Sequence, residues 1–282
     1  MYLCRRTRCR RHSSRDTIIG GSGPDTIIAG FGGDLIIGGS GSDVIFGGGF
    51  VDVPLPLFSW AGTDTIMGGS GPDTIYGSFY VGAPALVPEG TDLIIGGTGP
   101  DLIYGGIGPE TIIGGAGPDT IYGSNATEWP NPDAAGSDLI IGGSGPDLIY
   151  CGNGPTTIIG GSGPETIHGG TGNLIIITGT GPQQLVYGGN ADAHGAGGGQ
   201  SLITADAGST LIQDSGVKVQ DTVVGFDEVH GDRISFSGEN QTAIAKVVAT
   251  STVHDGSTTI TLPDASTITL VGISHIDANF FK

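Results

Sequence analysis

A short motif that returns every nine residues constrains this chain more than any other feature. A clear copy is Gly20-Gly21-Ser22-Gly23-Pro24-Asp25-Thr26-Ile27-Ile28, and the pattern is G-G-x-G-x-D-x-U-x, where U is a large aliphatic residue. Gly accounts for 56 of the 282 residues, whereas an ordinary domain holds about 7 % Gly. Because ordering so much Gly costs backbone entropy, the composition disfavours a conventional globular core and favours a stacked repeat.

The eighth position of the motif holds one aliphatic residue per unit. A short strand around it buries this side chain and turns its two neighbours outward, because side chains alternate along a strand. One unit cannot bury its aliphatic residue alone, so we expect two nonapeptides per coil and coils stacked about 4.8 Å apart. The sequence therefore predicts an all-β fold, a right-handed parallel β-roll, or β-solenoid. The predicted interior residues are Ile18, Ile27, Ile36, Ile45, Ile66, Ile75, Ile94, Ile103, Ile112, Ile121, Ile140, Ile149, Ile158, Ile167, Ile176, Leu185, Leu202 and Leu211.

The six residues before each strand form a turn whose composition indicates metal binding. Gly at positions one, two and four permits positive φ and lets backbone carbonyls converge, and the carboxylate at position six completes a cage of oxygens. Hard oxygen ligands suit Ca²⁺, whereas Zn²⁺ prefers His and Cys. A solvated acidic face is the simpler alternative, but it leaves the Gly spacing without a purpose.

Residues 16–212 resemble the RTX, or hemolysin-type, calcium-binding nonapeptide-repeat family through these motif copies. The resemblance implies a parallel β-roll in which calcium lies between turns of successive coils. It also implies export by type I secretion machinery to the outside of a bacterial cell, without an N-terminal signal peptide.

Alternate turns differ in how well they keep the motif. The even-numbered turns are nearly uninterrupted, and seven of them imply about six stacked calcium sites; their acids are Asp25, Asp43, Asp73, Asp101, Asp119, Asp147 and Glu165. The odd-numbered turns contain insertions, which we expect to displace the Gly carbonyls and to leave one or two weaker sites. Their candidate acids are Asp34, Asp64, Asp92, Glu110 and Asp138.

Three insertions hold both Trp residues of the chain, at 49–61, 78–89 and 125–136. All precede odd-numbered turns and so protrude from one edge of the roll. They either bind a cell-surface, glycan or lipid partner or fold back over the outward side chains and shield them.

The type of residue at the ninth position also alternates between even and odd units, and we expect its side chains to point outward. Even units carry mostly aromatic residues there and odd units carry mostly Ile. We interpret these as stacked ladders that stiffen a flat sheet, with a contact or ice-binding surface as the alternative. The even series is Phe46, Tyr76, Tyr104, Tyr122, Tyr150 and His168.

The C-terminal part of the chain loses the motif in two steps. From about residue 174 the sixth-position acid is missing, which predicts a metal-poor continuation of the roll to residue 212. Residues 213–282 then show alternating segments at 221–227, 232–236, 258–262 and 266–270. We predict that they form an antiparallel β cap, and the resemblance implies that they also carry the secretion signal.

Charge is distributed unevenly. Six of the ten basic residues lie in residues 1–15, predicted to be a disordered tail or a misassigned start, while the rest of the chain carries 28 acidic residues. So acidic a body repels phosphate backbones, which argues against nucleic-acid binding.

Enzyme motifs are missing from the sequence. There is no H-E-x-x-H, no G-x-S-x-G and no Gly-Lys pair, so we expect no enzyme activity. The expected function is a secreted calcium-binding roll that folds on binding Ca²⁺ and acts as an extracellular structural or interaction module. A membrane-active secreted effector, or the C-terminal part of a larger RTX enzyme or toxin, are the alternatives.

Overall fold

The computed structural model describes residues 2–3, 15–30, 32–48, 62–78, 90–106, 108–124, 136–152, 154–170, 172–181, 184–187, 200–206, 208–214 and 219–282. The chain divides into two compact units, Met1–Asp147 and Leu148–Lys282.

The first unit is built from two parallel sheets whose strands alternate along the chain. One sheet has the order β1 (Tyr2–Leu3), β2 (Thr17–Ser22), β4 (Leu35–Ser40), β6 (Thr65–Ser70), β8 (Leu93–Thr98), β10 (Thr111–Ala116) and β12 (Asp138–Gly143). The other has the order β3 (Thr26–Gly30), β5 (Val44–Gly48), β7 (Thr74–Ser78), β9 (Leu102–Gly106) and β11 (Thr120–Ser124). Because each strand from β2 onward pairs with the strand two positions away, two nonapeptides make one coil. This confirms the predicted parallel β-roll.

The interior of the first unit is the predicted Ile ladder. Equivalent residues pair in register, as in Ile36 with Ile66 and Ile45 with Ile75. From Ile18 to Ile140 every predicted interior Ile is at most 4 % exposed. Stacking therefore stabilises the fold by burying one branched aliphatic side chain per nonapeptide.

The second unit also contains two parallel series of strands. One comprises β14 (Thr156–Gly161), β16 (Leu174–Ile177), β18 (Gln200–Thr204) and β20 (Gln220–Val224). The other comprises β13 (Leu148–Tyr150), β15 (Thr166–His168), β17 (Gln184–Tyr187), β19 (Thr210–Gln213) and β21 (Arg233–Ser235).

The prediction of which residue is buried is wrong by one position in three strands of this unit. Val186 pairs with Ile167, and Ile203 pairs with Ile176, so the interior register passes through Val186, Ile203 and Ile212, all fully buried. Leu185 and Leu211 pair with each other one residue earlier, and Leu202 is 40 % exposed. A one-residue shift reverses which face each side chain occupies.

Parallel pairing continues beyond residue 212. Strand β20 pairs in parallel with β18, and β21 pairs in parallel with β19. The prediction of antiparallel strands at 221–227 and 232–236 is therefore wrong, since these segments extend the roll.

The antiparallel cap is confirmed farther along the chain. Strands β22 (Thr252–His254), β23 (Ser257–Thr261) and β24 (Thr267–Leu270) form antiparallel hairpins, and β24 also pairs in parallel with β20. A helix that was not predicted, α1 (Gln241–Thr250), precedes them and buries Ile244 and Val247. Asn240 caps its N-terminus, because its side chain accepts hydrogen bonds from the backbone N–H groups of Thr242 and Ala243.

The outward ninth-position residues form the predicted ladders. Phe46, Tyr76, Tyr104 and Tyr122 stack with ring centroids 4.8, 4.8 and 4.9 Å apart and ring planes within 7° of parallel. In the second unit Tyr150 stacks on His168 at 4.7 Å. His168 is thus a ring in a ladder, and burial lowers its pKa.

Several predicted features lie outside the described residues. These are insertion 49–61, insertions 78–89 and 125–136 apart from Ser78 and Gly136, and most of the basic tail. Within the tail, Tyr2 and Leu3 pair in parallel with Ile18 and Ile19 of β2.

Candidate calcium sites

All twelve candidate acids are buried at the point where a turn enters a strand. Their exposed fractions lie between 1 % and 7 %. In the first unit they form two columns with one carboxylate per coil. The uninterrupted column is Asp25, Asp43, Asp73, Asp101, Asp119 and Asp147, and the interrupted column is Asp34, Asp64, Asp92, Glu110 and Asp138, preceded by Asp16.

Each carboxylate accepts a backbone hydrogen bond from the preceding coil of its own column. In the uninterrupted column the backbone N–H of each acid donates to Oδ1 of the acid one coil later, at 2.8 to 2.9 Å. In the interrupted column the corresponding hydrogen bonds measure 2.6 to 3.1 Å. One carboxylate oxygen per turn is therefore held in place by the backbone.

The second oxygen has a different environment. Oδ2 of Asp43, Asp64, Asp73, Asp101 and Asp119 is buried and has no hydrogen-bond partner among the described residues. A buried carboxylate oxygen without a partner is costly, because it has lost its water and gained nothing in exchange.

The first Gly of each turn makes room at this oxygen. A Cβ on Gly38 would lie 2.6 Å from Oδ2 of Asp43 and 2.5 Å from the carbonyl oxygen of Gly68. A Cβ on Gly68 would likewise lie 2.6 Å from Oδ2 of Asp73. This Gly has no positive φ, whereas the second Gly of the turn does, as at Gly39 with φ 116°. In the uninterrupted turns the first Gly is thus required for space, and the second for its backbone conformation, whereas Gly48, the second Gly of an interrupted turn, has no positive φ.

The interrupted column keeps the same arrangement. A Cβ on Gly47 would lie 3.1 Å from Oδ2 of Asp64 and 2.6 Å from the carbonyl oxygen of Gly77, and one on Gly77 would lie 3.2 Å from Oδ2 of Asp92. The expectation that the insertions displace the Gly carbonyls is wrong at this turn, because the carbonyl oxygen of Gly77 lies beside Gly47 as that of Gly68 lies beside Gly38. The insertion of this turn begins after the second position of the motif, and Gly48 at that position still pairs with Ser78. The carboxylate oxygen and the backbone carbonyl oxygen beside the first Gly therefore keep their positions.

Burial raises the pKa of these carboxyl groups. It raises the pKa of Asp73, Asp101 and Asp119 to about 6, and the neighbouring acids of the column add to the increase. In the interrupted column burial raises the pKa of Asp64 to about 8 and that of Asp138 to about 7. A cation beside them would reverse this effect, since an opposite charge favours the ionised form.

The residues present fit calcium. The Oδ2 atoms that lack a hydrogen-bond partner among the described residues are hard ligands, and they lie beside backbone carbonyl oxygens. Among the described residues, no three His, Cys, Asp or Glu side chains come together as a metal-binding cluster, so a calcium ion here would rely on backbone carbonyl oxygens as well as carboxylates.

The second unit shows what happens when the motif is lost. Glu165 is 1 % exposed, but the equivalent positions of the next coils hold Gln184 and Thr210. Asp232 then returns to this position, and its two oxygens accept hydrogen bonds from the backbone N–H groups of Thr210 and Asp227, at 2.7 and 2.8 Å. This carboxylate is satisfied by the protein itself and needs no cation.

Sequence reasoning missed that acids return to the sixth position at Asp221 and Asp232. Asp221 pairs with Ser201, is 4 % exposed, and burial raises its pKa to about 6. The signal was available, because Asp221-Thr222-Val223 and Asp232-Arg233-Ile234 preserve the D-x-U half of the nonapeptide.

A comparison with protein families supports the calcium interpretation. The family described as RTX calcium-binding nonapeptide repeat (4 copies) matches residues 19–54, 61–79, 89–121, 104–127, 134–154 and 159–181. No curated protein matches the chain. Among the described residues, no helix has the length and apolar character that crossing a membrane requires.

Proposed function

Because the chain contains several copies of the RTX calcium-binding nonapeptide repeat, we propose that it is a secreted roll that folds when it binds Ca²⁺ outside the cell. It then serves as an extracellular structural or interaction module, with no catalytic step assigned to it. The observation that carries this proposal is that buried Oδ2 atoms recur along the columns without a hydrogen-bond partner among the described residues, at Asp43, Asp64, Asp73, Asp101 and Asp119.

Calcium would be held by the acids of both columns. The even-numbered turns supply about six sites through their acids Asp25, Asp43, Asp73, Asp101, Asp119, Asp147 and Glu165. The interrupted column offers the same oxygen pair at Asp64 and Asp92, which supports further sites there, and Asp34, Glu110 and Asp138 complete its set. When bound, calcium supplies the positive charge that lets these carboxylates ionise while buried.

A calcium titration of the full chain tests the proposal. At pH 8 in excess chelator, far-UV circular dichroism should show little β structure, because the carboxylates repel one another and the Gly-rich chain is costly to order. Added Ca²⁺ should fold the chain cooperatively with a midpoint of about 10⁻⁴ to 10⁻³ M, as in other extracellular calcium modules.

Mg²⁺ is the matched control, because it demands octahedral geometry and releases its waters reluctantly. It should fold the chain poorly at the same concentration. Full β content in chelator at pH 8, or equal folding by both ions, would show that calcium does not drive folding.

Export is a separate part of the proposal. We infer that residues 213–282 direct the chain through a type I transporter. Deleting residues 241–282, which removes α1 and the antiparallel hairpins, should stop export in a host that carries such a transporter, whereas deleting residues 1–15 should leave it intact. Export that depends on the N-terminal residues instead would refute this assignment.

A further inference from the structure

The outer face of one sheet of the second unit changes from apolar to polar toward its C-terminal end. In β16 and β18 the outward residues Ile175 and Leu202 pair with each other and are 45 % and 40 % exposed. In β20 and β24 the same row continues as Thr222 and Thr269. The row extends to Thr259 on β23, whose hydroxyl oxygen lies 3.1 Å from that of Thr269.

A second outward row runs beside the first and is made of amides and hydroxyls. Gln200 pairs with Gln220, and Gln220 pairs with Thr267. Nε2 of Gln200 donates a hydrogen bond to Oε1 of Gln220 at 2.9 Å. A Gln side chain has two donors and one acceptor oxygen with two lone pairs, so this one bond leaves each amide able to bind another molecule.

The two rows border an open groove of about 610 Å³. Its lining includes Asn173, Gln200, Gln220, Thr222, Thr267 and Thr269. Asp221 is the one ionisable residue among the described residues of the lining, and it is only 4 % exposed. The described part of the groove therefore presents hydroxyl and amide groups beside Leu202, without an accessible charge.

We propose that this groove binds a segment of a neutral polysaccharide. The chain carries a net charge of −18, so an anionic polymer is repelled, and a cationic polymer finds no accessible carboxylate among the described residues of the groove. A neutral sugar polymer offers repeated hydroxyl groups that both donate and accept, and the parallel rows of Thr and Gln repeat from strand to strand about 4.8 Å apart. The repeated Thr hydroxyls and Gln amides of the protein can thus form hydrogen bonds with the repeated hydroxyl groups of the polysaccharide.

Affinity electrophoresis of the full chain tests the proposal. Native gels with saturating Ca²⁺ contain dextran, galactomannan or mixed-linkage β-glucan as neutral probes, or alginate as the anionic probe. At least one neutral polymer should retard the protein, and alginate should not.

Two pairs of substitutions identify the groove. Thr222→Val with Thr269→Val removes two hydroxyls at nearly constant volume, and Gln200→Met with Gln220→Met removes two exposed amides. Each pair should weaken retardation at least about tenfold, because two or more hydrogen bonds are lost. The matched control is Thr74→Val with Thr120→Val, on the outer face of β7 and β11 in the first unit, which should bind like the unmodified chain.

Circular dichroism in Ca²⁺ first establishes that each variant is folded, which separates this test from the calcium proposal. If the Thr pair does not fold, the exposed Gln pair decides. Loss of retardation in a folded groove variant but not in the control supports the proposal. No retardation by any neutral polymer, equal retardation of all variants, or stronger retardation by alginate overturns it.

Discussion

Asp101 and Asp232 occupy the same position of their coils, yet their carboxylates are satisfied in different ways. Oδ1 of Asp101 accepts the backbone N–H of Asp73, while Oδ2 has no hydrogen-bond partner among the described residues. Both oxygens of Asp232 accept backbone N–H groups. The local turn, rather than the residue type, thus determines which acid requires a cation.

Replacing Asp101 by Asn should therefore have effects of opposite sign with and without calcium. In Ca²⁺ it removes a charged ligand, and we expect a loss of about 2 kcal/mol in folding free energy and a folding midpoint at higher Ca²⁺. In chelator at pH 8, where we expect the parent to have little β structure, it removes a buried charge, so the variant should retain more β structure than the parent. Chemical denaturation in Ca²⁺ and far-UV circular dichroism in chelator measure these two changes.

Asp232→Asn is the control for this prediction. It should reduce stability in Ca²⁺ without changing the calcium stoichiometry, and it should not raise the β content in chelator. A calcium-dependent loss at Asp232 as large as that at Asp101 would contradict the distinction drawn between the two carboxylates.

The first Gly of each turn provides a second test at the scale of single residues. Gly68→Ala would place a Cβ 2.6 Å from both Oδ2 of Asp73 and the carbonyl oxygen of Gly96, whereas the Cβ of Gly48→Ala would meet no atom closer than 3.6 Å. We expect Gly68→Ala to cost about 1 to 3 kcal/mol of stability through overpacking and to weaken calcium binding. Gly48→Ala should change stability little; equal losses in calorimetric melts would exclude a special role for the first Gly.

At the scale of strands, the coils of the second unit show how register is chosen when the motif is absent. Strand β18 contains two adjacent aliphatic residues, and only Ile203 is buried while Leu202 faces outward. Ile203 pairs with Ile176 of the preceding coil, so the ladder already formed selects the register.

This register predicts unequal effects at two adjacent residues. Ile203→Ala should cost about 2 to 5 kcal/mol, because it opens a cavity in the ladder. Leu202→Ala should change the free energy of unfolding by about 0.5 kcal/mol or less, as is usual at exposed positions. Denaturant melts in Ca²⁺ measure both, and a larger loss at Leu202 would mean that the register is the one first predicted from the sequence.

For the molecule as a whole, the carboxylate columns couple folding to pH. Burial raises the pKa of Asp73, Asp101 and Asp119 to about 6 and that of Asp64 to about 8. Since these values lie above the ordinary pKa of 3.8, protonation favours the folded state. That stabilisation is complete below pH 3.8 and is lost as pH rises through 6 to 8.

We therefore expect the metal-free chain to be more folded near pH 4 than at pH 8. In saturating Ca²⁺ the order should reverse, because calcium binds the ionised carboxylates and competes with protons. Far-UV circular dichroism across this range, in chelator and in Ca²⁺, measures both trends. A metal-free chain whose β content does not fall above pH 6 would refute this coupling.

Much of the fold can be predicted from the sequence where the nonapeptide is intact. The motif places one Ile inside each strand and one acid at its start, and Ile36 and Asp43 lie as the spacing requires. This works because nine residues contain one turn and one strand, so each choice is local. The equivalence of the two columns was missed, because an insertion interrupts the spacing without disturbing the turn residues on either side of it.

What the amino-acid sequence alone determines is therefore the repeat, its buried aliphatic residue and its buried acid. The tertiary structure alone decides the last coils. Leu185-Val186, Leu202-Ile203 and Leu211-Ile212 offer two equally apolar neighbours, and without the Gly and the acid no local signal distinguishes them. Stacking on the preceding coil makes the choice, since only one register continues the buried ladder and its backbone hydrogen bonds.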